Sequence, residues 1–416
     1  MISKRMNGIN KFLVGVNYWP RRKAMYWWKD FDEEEVRDEF GEIRDMNLNV
    51  VRIFLDWEEF QPEPDKIDIS ALKNLKKVLD MGERYELKII PTFFCGFMSG
   101  ISLLPEWSLD KKAKFYRHPT LTKGKLIDYP IKNLFENETM LDAQKLQVKV
   151  ITSEFSGHPA IYAWDISNEV ENLAMPGSHK AAKKWLQSLV EEIKRVDNHH
   201  PITGGFHQEN LEAEVVTNWI SDAGKILDLL CMHGYPNYSK IVIDPVNPDF
   251  VPFCNLLTQS LGKKSVLFEE FGLPTVPPGE TSKYIEMKKS TSGTANAYLA
   301  SEEEAAEYYR NTLEGLRRVG SLGALAWCFS DYDRSLWEKP PFDKCIHERF
   351  FGITRANGSV KLAGNVLREF TNKKIVPAPN LFEITSKYYE DPLTNFKALW
   401  SLFIKEGYKK RLETKA

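Results

Sequence analysis

Two apolar runs that each stop at a glutamate carry the clearest chemistry in the chain. One is Ala163-Trp164-Asp165-Ile166-Ser167-Asn168-Glu169, and the other is Val266-Leu267-Phe268-Glu269-Glu270-Phe271-Gly272. Each reads as a buried strand, and a carboxylate at the end of such a strand is costly unless it is paired or used. Two of them, roughly a hundred residues apart, suggest an acid and a nucleophile facing each other across one pocket. That is the pairing retaining glycoside hydrolysis needs, one carboxyl protonating the leaving oxygen while the other attacks or stabilises the sugar cation.

Positioning two such groups requires a scaffold that brings distant strand ends together. Eight short apolar runs read as strands: Leu13–Asn17, Val50–Leu55, Lys88–Phe93, Ile161–Ser167, Ile202–Gly205, Leu227–Met232, Ser265–Glu269 and Ala324–Phe329. They are mostly continuous rather than alternating, as in strands buried on both faces. Helical periodicity fills the gaps at Asp32–Met46, at Ser70–Tyr85 with Ser70 as N-cap, at Leu141–Phe155, at Lys180–Val196, and at Ala305–Val319 behind a Ser301/Glu304 capping box. Strands alternating with helices predict an α/β fold, a (β/α)8 TIM barrel spanning residues 1–375. Asn357-Gly358 marks a turn before a last barrel helix at Lys361–Phe370, and residues 376–416 form an aromatic, helical C-terminal extension packed on the barrel. The connections Phe94–Glu138, Phe271–Leu299 and Ser330–Phe351 are enlarged βα loops. Such loops surround a barrel's active face, and three on one rim narrow an open groove toward a pocket.

Bulk properties exclude other classes. A net charge of -2 gives no footprint for nucleic acid or an anionic membrane. Five cysteines, an odd number without a CxxC, and a polar N-terminus followed by a short apolar run predict a cytoplasmic protein without a disulfide framework. Scattered histidines without HxH or HExxH spacing predict no metal, and no cofactor is expected. The 11 tryptophans fit either sugar stacking or packing.

With these motifs in place, the chain resembles glycoside hydrolase family 5, closest to its β-mannanase and β-mannosidase members. Trp164 to Glu169 and Phe268 to Gly272 match the fourth and seventh strands of that family. Met232-His233-Gly234-Tyr235-Pro236 is similar to its sixth-strand motif, Val51-Arg52-Ile53-Phe54 to its second, and Ala326-Trp327 to its eighth. The resemblance implies that Glu169 is the general acid/base and Glu270 the nucleophile. Arg52 and the Tyr235 hydroxyl would keep Glu270 ionised, while burial and a charged neighbour would keep Glu169 protonated. Asn168 would contact the sugar 2-OH, His233 would orient Glu169 or a hydroxyl, and Trp327 would floor the −1 subsite. Trp19, Trp57 and Trp107, just after the first three strands, are candidate subsite walls. Alternation along a strand predicts that Glu269 faces away from Glu270 in a structural role. A departure stands at Thr92-Phe93-Phe94-Cys95-Gly96, where many family members carry a histidine.

The expected activity is retaining, exo-acting hydrolysis of β-1,4-linked mannosidic oligosaccharides by double displacement. An endo-β-1,4-mannanase or cellulase comes next, then a β-glucosidase or β-galactosidase, which the segment Asp56 to Pro64 also resembles. A barrel that binds a β-linked oligosaccharide without cleaving it would lack one carboxylate, and both are present.

Overall fold

The computed structural model describes residues 11–112, 117–288, 293–377 and 381–405. Its central strands are β1 (Leu13–Tyr18), β2 (Val50–Asp56), β3 (Lys88–Cys95), β4 (Trp164–Asn168), β5 (Ile202–Gly205), β6 (Leu230–His233), β7 (Val266–Phe271) and β8 (Gly323–Ala326). They form one eight-stranded sheet in the order β6-β7-β8-β1-β2-β3-β4-β5, with parallel pairing. Its two ends meet where His207 bridges His233 and the His233 amide donates to the Phe206 carbonyl at 2.8 Å. The expected barrel is present.

Each strand is followed by a helix: α1 (Glu33–Asp45), α2 (Ile69–Arg84), α3 (Glu138–Phe155), α4 (His179–Val196), α5 (Ile220–Ile226), α6 (Phe250–Gly262), α7 (Glu302–Arg318) and α8 (Leu362–Phe370). The caps follow the local sequence, with Asp32, Asn137, Ser178 and Ser301 accepting from first-turn amides. Two details differ from the sequence reading. The N-cap of α2 is Asp68, whose carboxylate takes the Ala71 amide at 2.9 Å, so the helix begins before Ser70. The capping box at α7 is one-sided, because the Glu304 carboxylate takes the hydroxyls of Ser282 and Tyr298.

The barrel interior is layered. Leu13, Val50, Ile90, Ala163, Leu229, Leu267 and Leu325 form an apolar floor across seven strand starts. Two residues further along, the same inward face carries Arg52, Thr92, Asp165, Cys231 and Glu269, all fully buried. An apolar plug therefore lies beneath a polar layer, and the polar layer beneath the mouth.

All three long loops sit at that mouth. The first holds short strands at Phe97–Met98, Ile101–Leu103, Thr120–Thr122 and Lys125–Ile127. The second holds an antiparallel hairpin, Lys283–Lys288 with Thr294–Leu299, and the third holds short 3-10 turns. A C-terminal helix, Pro392–Lys405, packs on α6 through Phe396 and Trp400, whose rings lie 5.0 and 5.2 Å from Phe253. Residues 406–416 of the expected extension lie outside the described residues. No helix among the described residues is long and apolar enough to cross a membrane.

Phe253 also lies 5.5 Å from Phe403, so it anchors the whole C-terminal helix. Phe253→Ala should cost about 3–5 kcal/mol in a urea titration. It should also expose the C-terminal segment to limited proteolysis before the barrel unfolds.

Candidate active site

Arg52 is the first fixed point of the site. With 0% exposure, its guanidinium sits in the polar layer over the Phe54 ring. Nε and Nη2 donate to Asp165 Oδ2 at 2.9 and 2.7 Å, and Nη2 also donates to Asn168 Oδ1 at 3.1 Å. Nη1 donates to Glu270 Oε1 at 2.7 Å and to Asn17 Oδ1 at 3.2 Å. Thr92, at the departure from the family pattern on β3, donates its hydroxyl to Asp165 Oδ2 at 2.7 Å. Burial and the Glu269 charge push the Asp165 carboxyl up to about 7, against the pull of Arg52.

Glu270 is held on its other oxygen by the Tyr235 hydroxyl, 2.9 Å from Oε2. The Tyr235 phenol is itself pushed well up by burial and the Glu270 charge, so it remains a donor. Across the barrel, Glu169 follows the end of β4 in the left-handed region, at φ 48°. Its side chain thereby leaves the strand direction and enters the mouth, an uncommon conformation for a residue bearing a Cβ. His233 joins the two, with Nδ1 2.9 Å from Glu169 Oε1 and 3.6 Å from Glu270 Oε1. Asn172 donates to Glu169 Oε2 at 2.9 Å.

The nearest oxygens of Glu169 and Glu270, together with a His233 nitrogen, lie within 4.8 Å of one another. Retaining glycosidases hold their carboxyl groups about 5–5.5 Å apart, and inverting ones about 6.5–9.5 Å. This spacing leaves no room for a water molecule between acid and base, so it suits direct attack by a carboxylate.

Glu269 lies where strand alternation puts it, but not facing away from the site. Counted from Leu267, it falls on the inward face, while Glu270 would fall on the outer one. The register breaks between Phe268 and Phe271 on β7, and between Met232 and His233 on β6. These irregularities turn Glu270 into the mouth. Both carboxylates therefore approach Arg52, with Glu269 Oε2 3.7 Å from Nε. Glu269 is fully buried below the pocket, whereas Glu270 lines it.

The proton distribution in the site also differs from expectation. Burial pushes Glu169 up, but His207 and His233 outweigh it and hold the carboxyl below its ordinary range. Glu270 is raised, chiefly by burial, despite His233 and Arg52. Burial lowers His233, yet the Glu270 charge, the hydrogen bond to Glu169 and the Glu269 carboxylate 3.8 Å from Nε2 raise it from 6.5 to about 9. His233 therefore competes with Glu169 for the proton across their 2.9 Å contact.

A cavity of about 420 Å³ opens over these groups, lined by Asn168, Glu169, His233, Tyr235, Glu270 and Trp327 among others. Trp19 and Trp107 are not in its lining. Trp19 stacks on Phe54 with centroids 4.8 Å apart, and Trp107 packs edge-on to the buried Trp57 while donating to the Gln61 carbonyl at 2.9 Å. All three rings fill the space behind the first strand ends and build the wall's backing rather than its face. The lining also includes His118, His207 and Glu348, which the sequence reading did not select. Ser99, from the loop after β3, donates to Glu348 Oε2 at 3.0 Å and ties two rim loops together. Trp327 Nε1 lies 3.4 Å from the same oxygen.

Comparison with known proteins agrees with this geometry. A family model described as "GH family 5 beta-mannosidase-like" matches residues 108–291. Mannan endo-1,4-beta-mannosidase 3 of Arabidopsis thaliana is 24% identical over 263 residues, 54% of this chain and 58% of the relative. The chain's match thus spans little more than half of that relative. Among solved structures, a GH5_18 protein from Streptomyces cattleya in complex with GlcNAc superposes with a TM-score of 0.72 at 18% identity, covering 89% of this chain and 83% of the other. The exo-beta-1,4-mannosidase Op5Man5 from Opitutaceae bacterium strain TAV5 gives 0.70 at 24% identity, covering 88% and 60%.

The raised His233 has a consequence for stability. Its folded value lies above its unfolded one, so its protonation contributes stability that is full below about 6.5 and is lost as pH rises through about 9. The stability advantage of the wild type over His233→Gln should therefore shrink between pH 6 and pH 9.5 in urea titrations. An advantage that grows over that window would contradict this protonation state.

Proposed function

We propose, for a chain whose matched segment and fold are those of glycoside hydrolase family 5 of the β-mannosidase-like kind, that it hydrolyses β-1,4-linked mannosidic oligosaccharides with retention. The observation that carries the reading is the approach of Glu169 and Glu270 within 4.8 Å, one braced by histidine and the other by Arg52 and Tyr235. In the first step Glu270 attacks the anomeric carbon as the glycosidic oxygen takes a proton from Glu169. In the second, Glu169 takes a proton from water, which displaces Glu270. The proton stored between His233 and Glu169 is in place for the first transfer, and excluding water on binding favours the neutral acid. Asn168, fixed by Arg52, is poised for the 2-OH, and Trp327 offers an apolar face to the sugar ring.

Glu169→Ala should lose most turnover of natural oligosaccharides, yet keep part of its turnover of dinitrophenyl glycosides, whose departure needs little protonation. Azide should rescue it and yield a β-glycosyl azide. A 2-fluoro-mannoside with a good leaving group should label Glu270. A label mapped to Glu269 would overturn the nucleophile assignment.

Exo action is supported by the tie between Ser99 and Glu348, which joins the rims contributed by the loops after β3 and β8. A rim joined on that side favours one terminal sugar over a through-going chain. Mannohexaose should shorten one unit at a time, and soluble mannan should lose viscosity slowly relative to the reducing ends released. Early di- and trisaccharides with rapid loss of viscosity would instead indicate endo-mannanase action. We also place the enzyme in a reducing, cytoplasmic compartment, a reading supported by five cysteines that are all free and buried.

A further inference from the structure

Behind Glu169 lies a second layer of polar groups that the steps above do not use. His207, which follows β5, sits between two carboxylates and is itself almost fully buried. Its Nδ1 is 3.7 Å from Glu169 Oε2, and its Nε2 is 3.7 Å from Glu171 Oε2. Both His207 Nε2 and Glu171 Oε2 are buried without a hydrogen-bond partner. Glu171 is not free to turn away, because its other oxygen accepts from Asn210 at 2.9 Å and from Asn218 at 2.5 Å. The ring is fixed at its backbone as well, since Asn210 Oδ1 accepts the His207 amide at 2.9 Å. Two buried polar atoms facing each other at this distance are costly unless a small movement joins them.

We propose that Glu171 and His207 are positioning residues that hold the catalytic proton on Glu169. Glu171 accepts the proton on His207 Nε2, which leaves Nδ1 as a lone pair facing Glu169 Oε2. A neutral imidazole in that tautomer can only accept from Glu169, so it stabilises the protonated acid. When the glycosidic oxygen takes the proton, the O–H bond of Glu169 breaks and one to the leaving oxygen forms. The deglycosylating water later restores the proton to Glu169, and His207 again accepts it. The Glu171 charge adds to the effect by disfavouring a second negative charge on Glu169.

The other groups facing Glu169 do not supply this bias. A doubly protonated His207, the cationic His233 and Arg52 all favour its ionised form, and only the His207 tautomer with Nδ1 bare reverses the first of these. Glu209 is neutralised by Arg117 at 2.7 Å. Burial lowers His118 to about 4, so it is uncharged at neutral pH. Glu270 opposes ionisation of Glu169, but it is itself held by Arg52 and is consumed once the covalent intermediate forms. Among these groups, Glu171 and His207 can favour the acid form through both steps.

The proposal rests on the glycosidase reading, and its test separates the two. Glu171→Gln keeps an acceptor for Asn210 and Asn218 but turns an amide N–H₂ toward His207 Nε2, which forces the proton onto Nδ1. With phenyl β-mannoside, the basic limb of kcat/KM should fall by about one pH unit, a roughly tenfold loss above the limb. The acidic limb, dinitrophenyl mannoside turnover and the rate of 2-fluoro labelling should stay unchanged. His207→Phe, which removes the acceptor, should lower the same limb. In the substrate-free protein, imidazole ¹⁵N shifts of His207 should report Nε2–H in the wild type and Nδ1–H in Glu171→Gln. An unmoved basic limb, a uniform loss across all substrates, or the same protonated nitrogen in both proteins would overturn the proposal. If the wild type cleaves no β-mannoside, the functional reading fails, while the ¹⁵N comparison still decides the His207 arrangement.

Discussion

The buried guanidinium of Arg52 binds Asp165, Asn168, Glu270 and Asn17, and it lies 3.7 Å from Glu269. These partners come from β1, β4 and β7, so the charge joins distant strands at one level of the barrel. Burying a guanidinium among carboxylates gains little net stability over an apolar core, but removing one partner leaves an uncompensated buried charge that costs about 3–5 kcal/mol. The arrangement therefore fixes geometry more than it adds stability. Glu270 cannot withdraw from the mouth without leaving Arg52 short of a partner, and Asn168 holds the end of β4 from which Glu169 turns. Apolar packing beneath excludes water, so each of these contacts acts at low dielectric and at full strength.

That same low dielectric makes the protons interdependent. Asp165, Glu169, Glu269 and Glu270 share too few cations for all to be ionised at no cost, and His233 answers by staying protonated to about 9. The simple expectation of an acidic nucleophile and a basic acid treats each carboxyl separately. In the assembled site the proton belongs to the group. His233 and Glu169 share it across a 2.9 Å contact, where it is needed. On this account catalysis depends less on one raised carboxyl than on how the neighbours redistribute a shared proton when substrate displaces water.

The barrel was legible because buried parallel strands and amphipathic helices leave different periods, and the strand starts fell within a few residues of their places. Glu169, Glu270, Arg52, His233 and Tyr235 were legible because strand ends on one barrel converge on one mouth. Three features escaped for physical reasons. The register breaks on β6 and β7 leave no mark in composition, so alternation could not show that Glu269 and Glu270 both approach Arg52. Trp19, Trp57 and Trp107 lie just past strand ends like true lining residues, and only packing against Phe54, Gln61 and one another shows that they are backing. His207 did have a signal, since it closely follows a short strand as His233 ends one, whereas His118 and Glu348 come from irregular loops without any period.

Retention requires Glu270 to attack from within a short distance of Glu169, and the stereochemistry of the first product tests this directly. Proton NMR of a β-mannoside digest, followed from the first minutes before mutarotation, reports which anomer is released. Double displacement through Glu270 predicts that β-mannose appears first and the α-anomer grows in only by mutarotation. Initial release of α-mannose would mean that water attacks in a single step, and it would contradict the paired carboxylates as the source of the chemistry.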